Sequence, residues 1–213
     1  MPSESGGWAA ASAFEPGESP FRGKGLIYLG SQEYAEKHLP GGWGAILEQL
    51  ESQPSLVRFL GQRFLAASWY DALPMAPLTR AGARVASTSF AAFSRRRAEW
   101  QAEHDANGVY RAVLRLTSPE TVVERVVRLT PQLFDFGTIA FERLGEKHFR
   151  VTRTGVPLPL VEWYAAMSEA YCMRLLNLSG AHQPTFRPDP LGPPDGLEHG
   201  MPTKTIAYEA RWR

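Results

Sequence analysis

Residues 160–178 read LVEWYAAMSEAYCMRLLNL, and this run decides the fold. Its large apolar residues recur every three or four positions, which is the spacing of one face of an α-helix. They are Leu160, Tyr164, Met167, Tyr171, Leu175 and Leu178. Trp163, Ala166 and Ala170 widen that face. We therefore predict a long helix that is held between other elements of the fold instead of lying on its surface.

The residues before this run predict a helix followed by a β-hairpin. Ser118 and Pro119 are typical of a helix start, with the serine as N-cap and the proline in the first turn. An apolar stripe of valines follows, and Pro131 is expected to end the helix. Residues 138–154 alternate between apolar and polar side chains on either side of Gly145-Glu146, which indicates two strands and a turn.

The residues after the run predict two more strands. Gly180 indicates the end of the helix, and a short third strand is expected around Phe186. Residues 188–202 contain five prolines and three glycines and are expected to form an irregular surface loop. The last ten residues alternate, and this predicts a final strand. One of its faces carries Ile206, Tyr208, Ala210 and Trp212.

The N-terminal half is predicted to contain only short helices. Residues 1–22 hold few large apolar groups, so we expect a flexible tail, with order beginning at Lys24. Proline and glycine then separate several amphipathic segments, and residues 68–71 are expected to form a turn ahead of a helix that starts near Leu78. The pattern from residue 87 to residue 116 is helical again, with a break at Asn107-Gly108.

The composition is that of a single domain, assigned to residues 23–213 after the tail. An apolar fraction of 44% and a charged fraction of 21% are ordinary for a soluble globular protein, and we expect a cytoplasmic location. The net charge of +1 predicts no nucleic-acid partner. No apolar run reaches the roughly 20 residues that a membrane span needs. Cys172 is the only cysteine, which excludes an internal disulfide and a multi-cysteine metal site.

The order of these elements resembles a superfamily that joins H-NOX domains, 4-vinyl-reductase-like domains and subunits of vesicle-tethering complexes. Residues 24–28 (KGLIY) and 43–47 (WGAIL) are similar to the start of an H-NOX domain. Residues 108–116, 170–172 and the final strand resemble the 4-vinyl-reductase type, and the whole organisation is similar to a myxobacterial family of unknown function. The resemblance implies a mixed α+β (α/β) fold, with a helical N-terminal part packed on a small antiparallel sheet and a long helix.

The resemblance also implies cofactors, but their ligands are missing. H-NOX domains hold haem with a histidine on the helix before the hairpin and with a Tyr-x-Ser-x-Arg motif on the strand. Residues 118–129 contain no histidine, and the first strand reads TIAFER at 138–143. Some 4-vinyl-reductase-type sensors hold zinc through several cysteines, whereas this chain offers only Cys172 there. We therefore predict that the protein binds neither haem nor zinc and has no other cofactor.

Two further groups have a functional and a structural interpretation. Cys172 is expected to be a buried structural thiol and not a nucleophile or ligand. The triplet Arg95-Arg96-Arg97 is expected to be a solvated helix face, with an anion-binding patch as the alternative. No motif of a nucleophile, a nucleotide loop or a metal site occurs, so we predict no catalytic and no metal-binding residues.

The leading hypothesis is a non-enzymatic sensor or binding module. In the superfamily that the chain resembles, a ligand lies between the helices and the sheet, so we expect a small apolar ligand between helix 160–178 and the hairpin. The candidate ligand-binding residues are Tyr110, Phe141, Phe149, Trp163, Met167 and Tyr171. The alternative is a filled core in a protein-interaction or assembly subunit, and a homodimer or another protein partner stays open. An enzyme ranks third.

Overall fold

The computed structural model describes residues 14–107 and 118–213, and in them the chain is a mixed α+β protein. The helices are α1 (Gly25–His38), α2 (Gly42–Glu48), α3 (Pro54–Leu60), α4 (Met75–Val85), α5 (Phe90–Asn107), α6 (Pro119–Leu133) and α7 (Val161–Leu178). The strands are β1 (Arg22–Lys24), β2 (Trp69–Asp71), β3 (Ile139–Gly145), β4 (His148–Pro157), β5 (Thr185–Pro188), β6 (Gly196–Glu198) and β7 (Met201–Arg211). The predicted fold class is confirmed.

The sequence predicted a purely helical N-terminal half, and this prediction is wrong. Strands β1 and β2 form a two-stranded antiparallel sheet in which Arg22 pairs with Asp71 and Lys24 with Trp69. The predicted turn at residues 68–71 is therefore wrong, because three residues were too few for their alternation to be recognised. Helix α4 begins at Met75 and not near Leu78, since Pro77 lies in its first turn, where no backbone N–H is needed.

The tail predicted for residues 1–22 is wrong over its last residues. Phe21 is 1% exposed, and Ser19 is buried. The carboxylate of Asp71 accepts hydrogen bonds from the Ser19 hydroxyl and from the backbone N–H groups of Gly17, Ser19 and Leu73. Apolar content alone did not reveal this segment, because a buried carboxylate 52 residues further on holds it.

The C-terminal sheet has the strand order β3-β4-β7-β5 and is antiparallel throughout. It confirms the predicted hairpin, the short strand around Phe186 and the final strand. Strand β7 begins earlier than predicted, and its first residues pair with β6. The irregular loop predicted for residues 188–202 is therefore wrong from Gly196 onward, because this second hairpin satisfies the backbone groups there.

The inner face of the sheet supplies much of the core. Ile206, Tyr208, Ala210 and Trp212 are all buried, as their alternation predicts. The neighbouring strand β4 buries alternate residues, from Phe149 to Arg153. Beside the hairpin, Gly137 has a φ of +60°, and a Cβ there would lie 1.9 Å from the carbonyl oxygen of Thr154. Only glycine fits at that approach.

The two long helices of the C-terminal part are where the sequence predicts them. Helix α7 confirms the run at 160–178 and ends ahead of Gly180, whose φ is +87°. Ser118 caps α6 by accepting a hydrogen bond from the Thr121 N–H at 3.4 Å. Helix α6 continues through Pro131 to Leu133, contrary to the prediction. A proline inside a helix removes one hydrogen bond, and here it does not end the helix.

The described residues contain neither a candidate membrane span nor a candidate metal site. In residues 14–107 and 118–213, no helix is both long and apolar enough to cross a membrane. Within the same ranges, no three His, Cys, Asp or Glu side chains are grouped as a metal site requires. The break predicted at Asn107-Gly108 and the helical pattern predicted after it lie largely outside the described ranges.

Candidate functional site

The side of α7 that carries Tyr164 is filled with side chains. Tyr164 is buried, and its ring centroid lies 5.5 Å from that of Phe134 and 5.7 Å from the guanidinium carbon of Arg153 on β4. Burial raises the pKa of Tyr164, and the nearby charge of Arg153 opposes that rise. Around Tyr164, the space between this helix and β4 is therefore occupied by side chains.

The open space lies on the helical side of α7. A partly open cavity of about 100 Å³, the first cavity, lies where α7 meets the start of α1, the middle of α5 and the end of α6. Its apolar walls are Leu26, Ile27, Leu133, Phe134, Trp163 and Met167. Its polar walls are Arg97, Gln101, Asp105, Ser168, Tyr171 and Cys172.

A second cavity of about 120 Å³ adjoins the first. The two share Leu26, Asp105, Leu133 and Tyr171. Further apolar walls of the second cavity come from α6 and from the last part of α7, and they are Val122, Val126, Leu129 and Leu175. Engineered apolar cavities of roughly 150 Å³ take up benzene, so each cavity is close to the size of one small ring.

One face of α5 presents a row of polar side chains to these cavities. Arg97, Gln101 and Asp105 are four residues apart and so lie above one another on the helix. Gln101 donates from Nε2 to Asp105 Oδ1 at 2.7 Å. The Tyr171 hydroxyl donates to Asp105 Oδ2 at 2.8 Å. Both carboxylate oxygens of Asp105 therefore already accept a hydrogen bond.

Arg97 is less well satisfied than Asp105. Its Nη2 donates to the carbonyl oxygen of Ile27 at 3.2 Å and to the Ser31 hydroxyl at 3.3 Å. Its Nε is buried without an acceptor, and the Oε1 of Gln101 is buried without a donor, among the residues that the structure describes. Burial lowers the pKa of Arg97 to about 10, so the side chain still carries its charge at neutral pH.

The polar row was missed by sequence reasoning. The expected solvated face holds for Arg95 and Arg96, which are exposed, but not for Arg97. The sequence did carry a signal, since each member of the polar row is followed by an alanine. These alanines, Ala98, Ala102 and Ala106, are all buried. Small residues at four-residue spacing mark the side of a helix that packs closely, and the polar row adjoins that side.

A glycine in α1 makes room for the polar row. A Cβ at Gly30 would lie 2.3 Å from Gln101 Oε1 and 2.9 Å from Arg97 Nη2. The side chains of α5 therefore rest directly on the backbone of α1. Any larger residue at this position would displace the two side chains that carry the unsatisfied atoms.

Three of the candidate ligand-binding residues border the cavities. Trp163, Met167 and Tyr171 line the first cavity, and Tyr171 also lines the second. Tyr110 lies outside the described residues.

Phe149 and Phe141 line neither of these two cavities. The Phe149 ring is stacked on that of Trp212 at a centroid distance of 5.5 Å, so the sheet itself fills that space. Phe141 is 39% exposed, because β3 is an edge strand of the sheet.

Cys172 is buried, as predicted, and it lines the first cavity. Burial raises the pKa of its thiol to about 12, so the sulfur is protonated at neutral pH. A protonated thiol is a poor nucleophile and behaves as a small apolar group. Cys172 therefore adds apolar surface to the wall and supplies no chemistry there.

The comparisons with known proteins show the fold only. No protein-family model matches the chain, and no curated protein matches it. Solved H-NOX structures do match. An oxygen-binding H-NOX domain related to soluble guanylate cyclases, in its oxygen complex, has a TM-score of 0.61 at 8% identity, covering 89% of this chain and 95% of that one. An H-NOX structure from a study of H-NOX activation has a TM-score of 0.60 at 6% identity, covering 90% and 96%.

The chain has an H-NOX-like fold. A third neighbour comes from work on haem redox potential and porphyrin distortion, with a TM-score of 0.63, 6% identity and coverage of 89% of this chain and 99% of the other. The TM-scores establish the architecture, whereas identities this low leave the ligand open. The resemblance to 4-vinyl-reductase-like domains and to a myxobacterial family stays a prediction.

The residues present do not fit haem. Cofactor pockets usually measure about 300–1,000 Å³, which exceeds either cavity severalfold. No histidine lines the first or the second cavity, as far as the described residues go. The Tyr-x-Ser-x-Arg motif is absent from β3, which reads IAFERLG.

Proposed function

We propose that this protein is a non-enzymatic binding or sensor module. It holds one small, largely apolar ligand in the first and second cavities, between α7 and helices α1, α5 and α6. The observation that carries the proposal is the pair of adjoining cavities with mostly apolar walls. Protein interiors are close-packed, so partly open space with mostly apolar walls is available to a ligand. A ligand that fills this space removes apolar surface from water, which stabilises the complex by about 25 cal/mol for each Å² buried.

The position of the cavities supports a sensing role. Their walls combine helices from the N-terminal part, α1 and α5, with α6 and α7 from the C-terminal part. An occupant contacts both parts at once and so favours the conformation in which they are closed around it. One neighbour of the same fold is an oxygen-binding H-NOX domain, which is consistent with a small ligand in this architecture. The relationship to 4-vinyl-reductase-like domains, the bacterial origin and the cytoplasmic location are retained as proposals from the sequence.

The proposal is tested by thermal unfolding in the presence of uncharged probes, toluene and indole. We expect a saturable rise in Tm, since a ligand at 100 times its Kd stabilises by about 2.7 kcal/mol. For a chain of this length that corresponds to roughly 5–10 °C. Met167→Trp fills the first cavity and should abolish the response. Met173→Trp, on the same helix but lining neither cavity, is the matched control and should keep it.

The substitution Tyr171→Ala distinguishes the binding module from a filled core. In the binding module, Tyr171 borders both cavities and is half-buried, so its loss should lower the free energy of unfolding by much less than the roughly 3–5 kcal/mol of a large aromatic truncation in a solid core. A full core penalty for Tyr171→Ala, together with no response to either probe, would contradict the binding module. The assembly subunit would then be the better interpretation.

A further inference from the structure

The polar row on α5 is electrostatically unequal at its two ends. Asp105 has both carboxylate oxygens occupied by donors, from Gln101 and from Tyr171. Arg97 lies eight residues earlier, about 12 Å along the helix axis. In residues 14–107 and 118–213, its hydrogen bonds go to a backbone carbonyl and a hydroxyl, and its buried Nε has no acceptor. The charge of Asp105 opposes the lowering of the Arg97 pKa by burial, but no carboxylate oxygen among the described residues accepts a hydrogen bond from the guanidinium.

A half-buried guanidinium whose buried Nε–H has no acceptor is costly to maintain. Its planar N–H groups match the two oxygens of a carboxylate, which is the pairing that arginine makes most strongly. Arg97 lines the first cavity, so a group placed in that cavity reaches it directly. The unpartnered amide oxygen of Gln101 is an acceptor and does not compete for an anion.

The remaining walls limit the rest of the ligand. Phe134, Trp163 and Met167 surround the first cavity with ring and thioether surface, which suits an aromatic ring or a short acyl chain. Asp105 borders both cavities and accepts two hydrogen bonds. A second acidic group on the ligand would lie near this carboxylate and be repelled.

We infer that the ligand is a small monocarboxylic acid, with its carboxylate on Arg97 and its apolar body between Phe134, Trp163 and Met167. This inference rests on the proposed function and goes beyond it by naming the chemical class of the ligand. The carboxylate completes the hydrogen bonding of Arg97, and the apolar body fills the space that side chains leave. A second carboxylate in the first cavity is disfavoured by Asp105.

The test compares three probes that differ in charge: phenylacetate, phenylacetamide and phenylsuccinate. Calorimetric titration of the full chain at neutral pH should give a Kd for phenylacetate roughly 10- to 100-fold lower than that for phenylacetamide, as expected for one charge-assisted contact. Phenylsuccinate should bind more weakly than phenylacetate. Arg97→Met should raise the Kd of phenylacetate to that of the amide, whereas Arg97→Lys should recover part of the difference. Arg96→Met removes an exposed arginine next to it and should change nothing.

The outcomes separate this inference from the proposed function. If phenylacetamide binds as tightly as phenylacetate, and Arg97→Met leaves both values unchanged, the carboxylate assignment is wrong and the binding module stands. If none of these compounds, nor toluene or indole, binds the unmodified chain, the binding module itself fails. Should Arg97→Met not fold, the ranking of the three probes on the unmodified chain still decides the assignment.

Discussion

At the scale of single residues, position on a helix decides what an arginine does. Arg95 and Arg96 are exposed, and Arg95 pairs with Glu169 at the surface. Arg97 follows directly in the chain but is turned by about 100° relative to Arg96, and this places its side chain in the first cavity. Three identical neighbours thus form two exposed groups and one half-buried cation that lines the first cavity. Charge counting along the sequence does not distinguish them.

The same scale carries a prediction for Cys172. Burial raises the pKa of its thiol from 9.0 to about 12. Because the folded-state pKa is the higher one, the stability that this thiol contributes is fully present below about pH 9 and is lost as the pH rises toward 12. We expect iodoacetamide to label Cys172 far more slowly in the native protein at pH 8 than in urea, as measured by mass spectrometry.

The control for this labelling is the ligand itself. A probe that fills the first cavity should slow the native labelling further, since Cys172 lines that cavity. Native labelling as fast as in the unfolded chain would mean that the thiol is accessible and that its pKa is not raised.

At the scale of elements, the short β1–β2 pair depends on one carboxylate. Asp71 is 2% exposed and accepts hydrogen bonds from Gly17, Ser19 and Leu73. It thereby joins the N-terminal segment, β2 and the start of α4. A flexible tail, as the sequence predicted for residues 1–22, would be removable without loss of stability. The structure reverses this expectation for residues 17–20, because they hold part of that network.

Asp71→Ala should therefore lower the free energy of unfolding by roughly 3 kcal/mol or more, since hydrogen bonds to a charged acceptor contribute about 1.5–3 kcal/mol each. The matched control is Asp135→Ala, which removes one exposed hydrogen bond to the backbone of β1 at Arg22. That change should cost about 1 kcal/mol or less. Urea unfolding of both variants gives the comparison. Equal losses would show that the N-terminal segment contributes little.

At the scale of the whole molecule, the architecture is shared with H-NOX domains at very low sequence identity. TM-scores of 0.60–0.64 over about nine-tenths of the chain establish the common fold. In this chain the described helices leave cavities of about 100 and 120 Å³ between them. A shared fold does not fix what the interior binds, because the side chains that line it change while the order of the elements does not.

The size and lining of the two cavities predict the response to haem. Haemin added in equal amounts should produce no sharp Soret band and no change in Tm, because neither cavity, as its described walls show, offers a histidine or enough volume. Absorption spectroscopy of the purified protein, followed by a haemin titration, makes the measurement, with an authentic H-NOX domain as the positive control. A stoichiometric Soret band would show that the helices move apart to admit the cofactor.

The sequence by itself determined the elements whose signal is local. Helix α7, the hairpin of β3 and β4 and the strand β7 each repeat a helical or alternating period over many residues. The Ser118 cap needs only the residues that follow it in the chain. The expected burial of Ile206, Tyr208, Ala210 and Trp212 follows from alternation alone and is correct. Order and type of these elements were sufficient to predict the fold class.

Only the tertiary structure decided where the candidate site lies. Strands β1 and β2 pair across more than 40 intervening positions, and Asp71 holds Ser19 across 52 positions, so no local pattern indicates them. The cavities are formed by four helices, and their existence depends on volumes that fail to match across the contact. Phe149 and Met167 both read as core residues in the sequence. Packing alone placed Phe149 against Trp212 and Met167 at the first cavity. The hydrophobic period of a sequence indicates which face of an element is buried but not which side chains that face contacts.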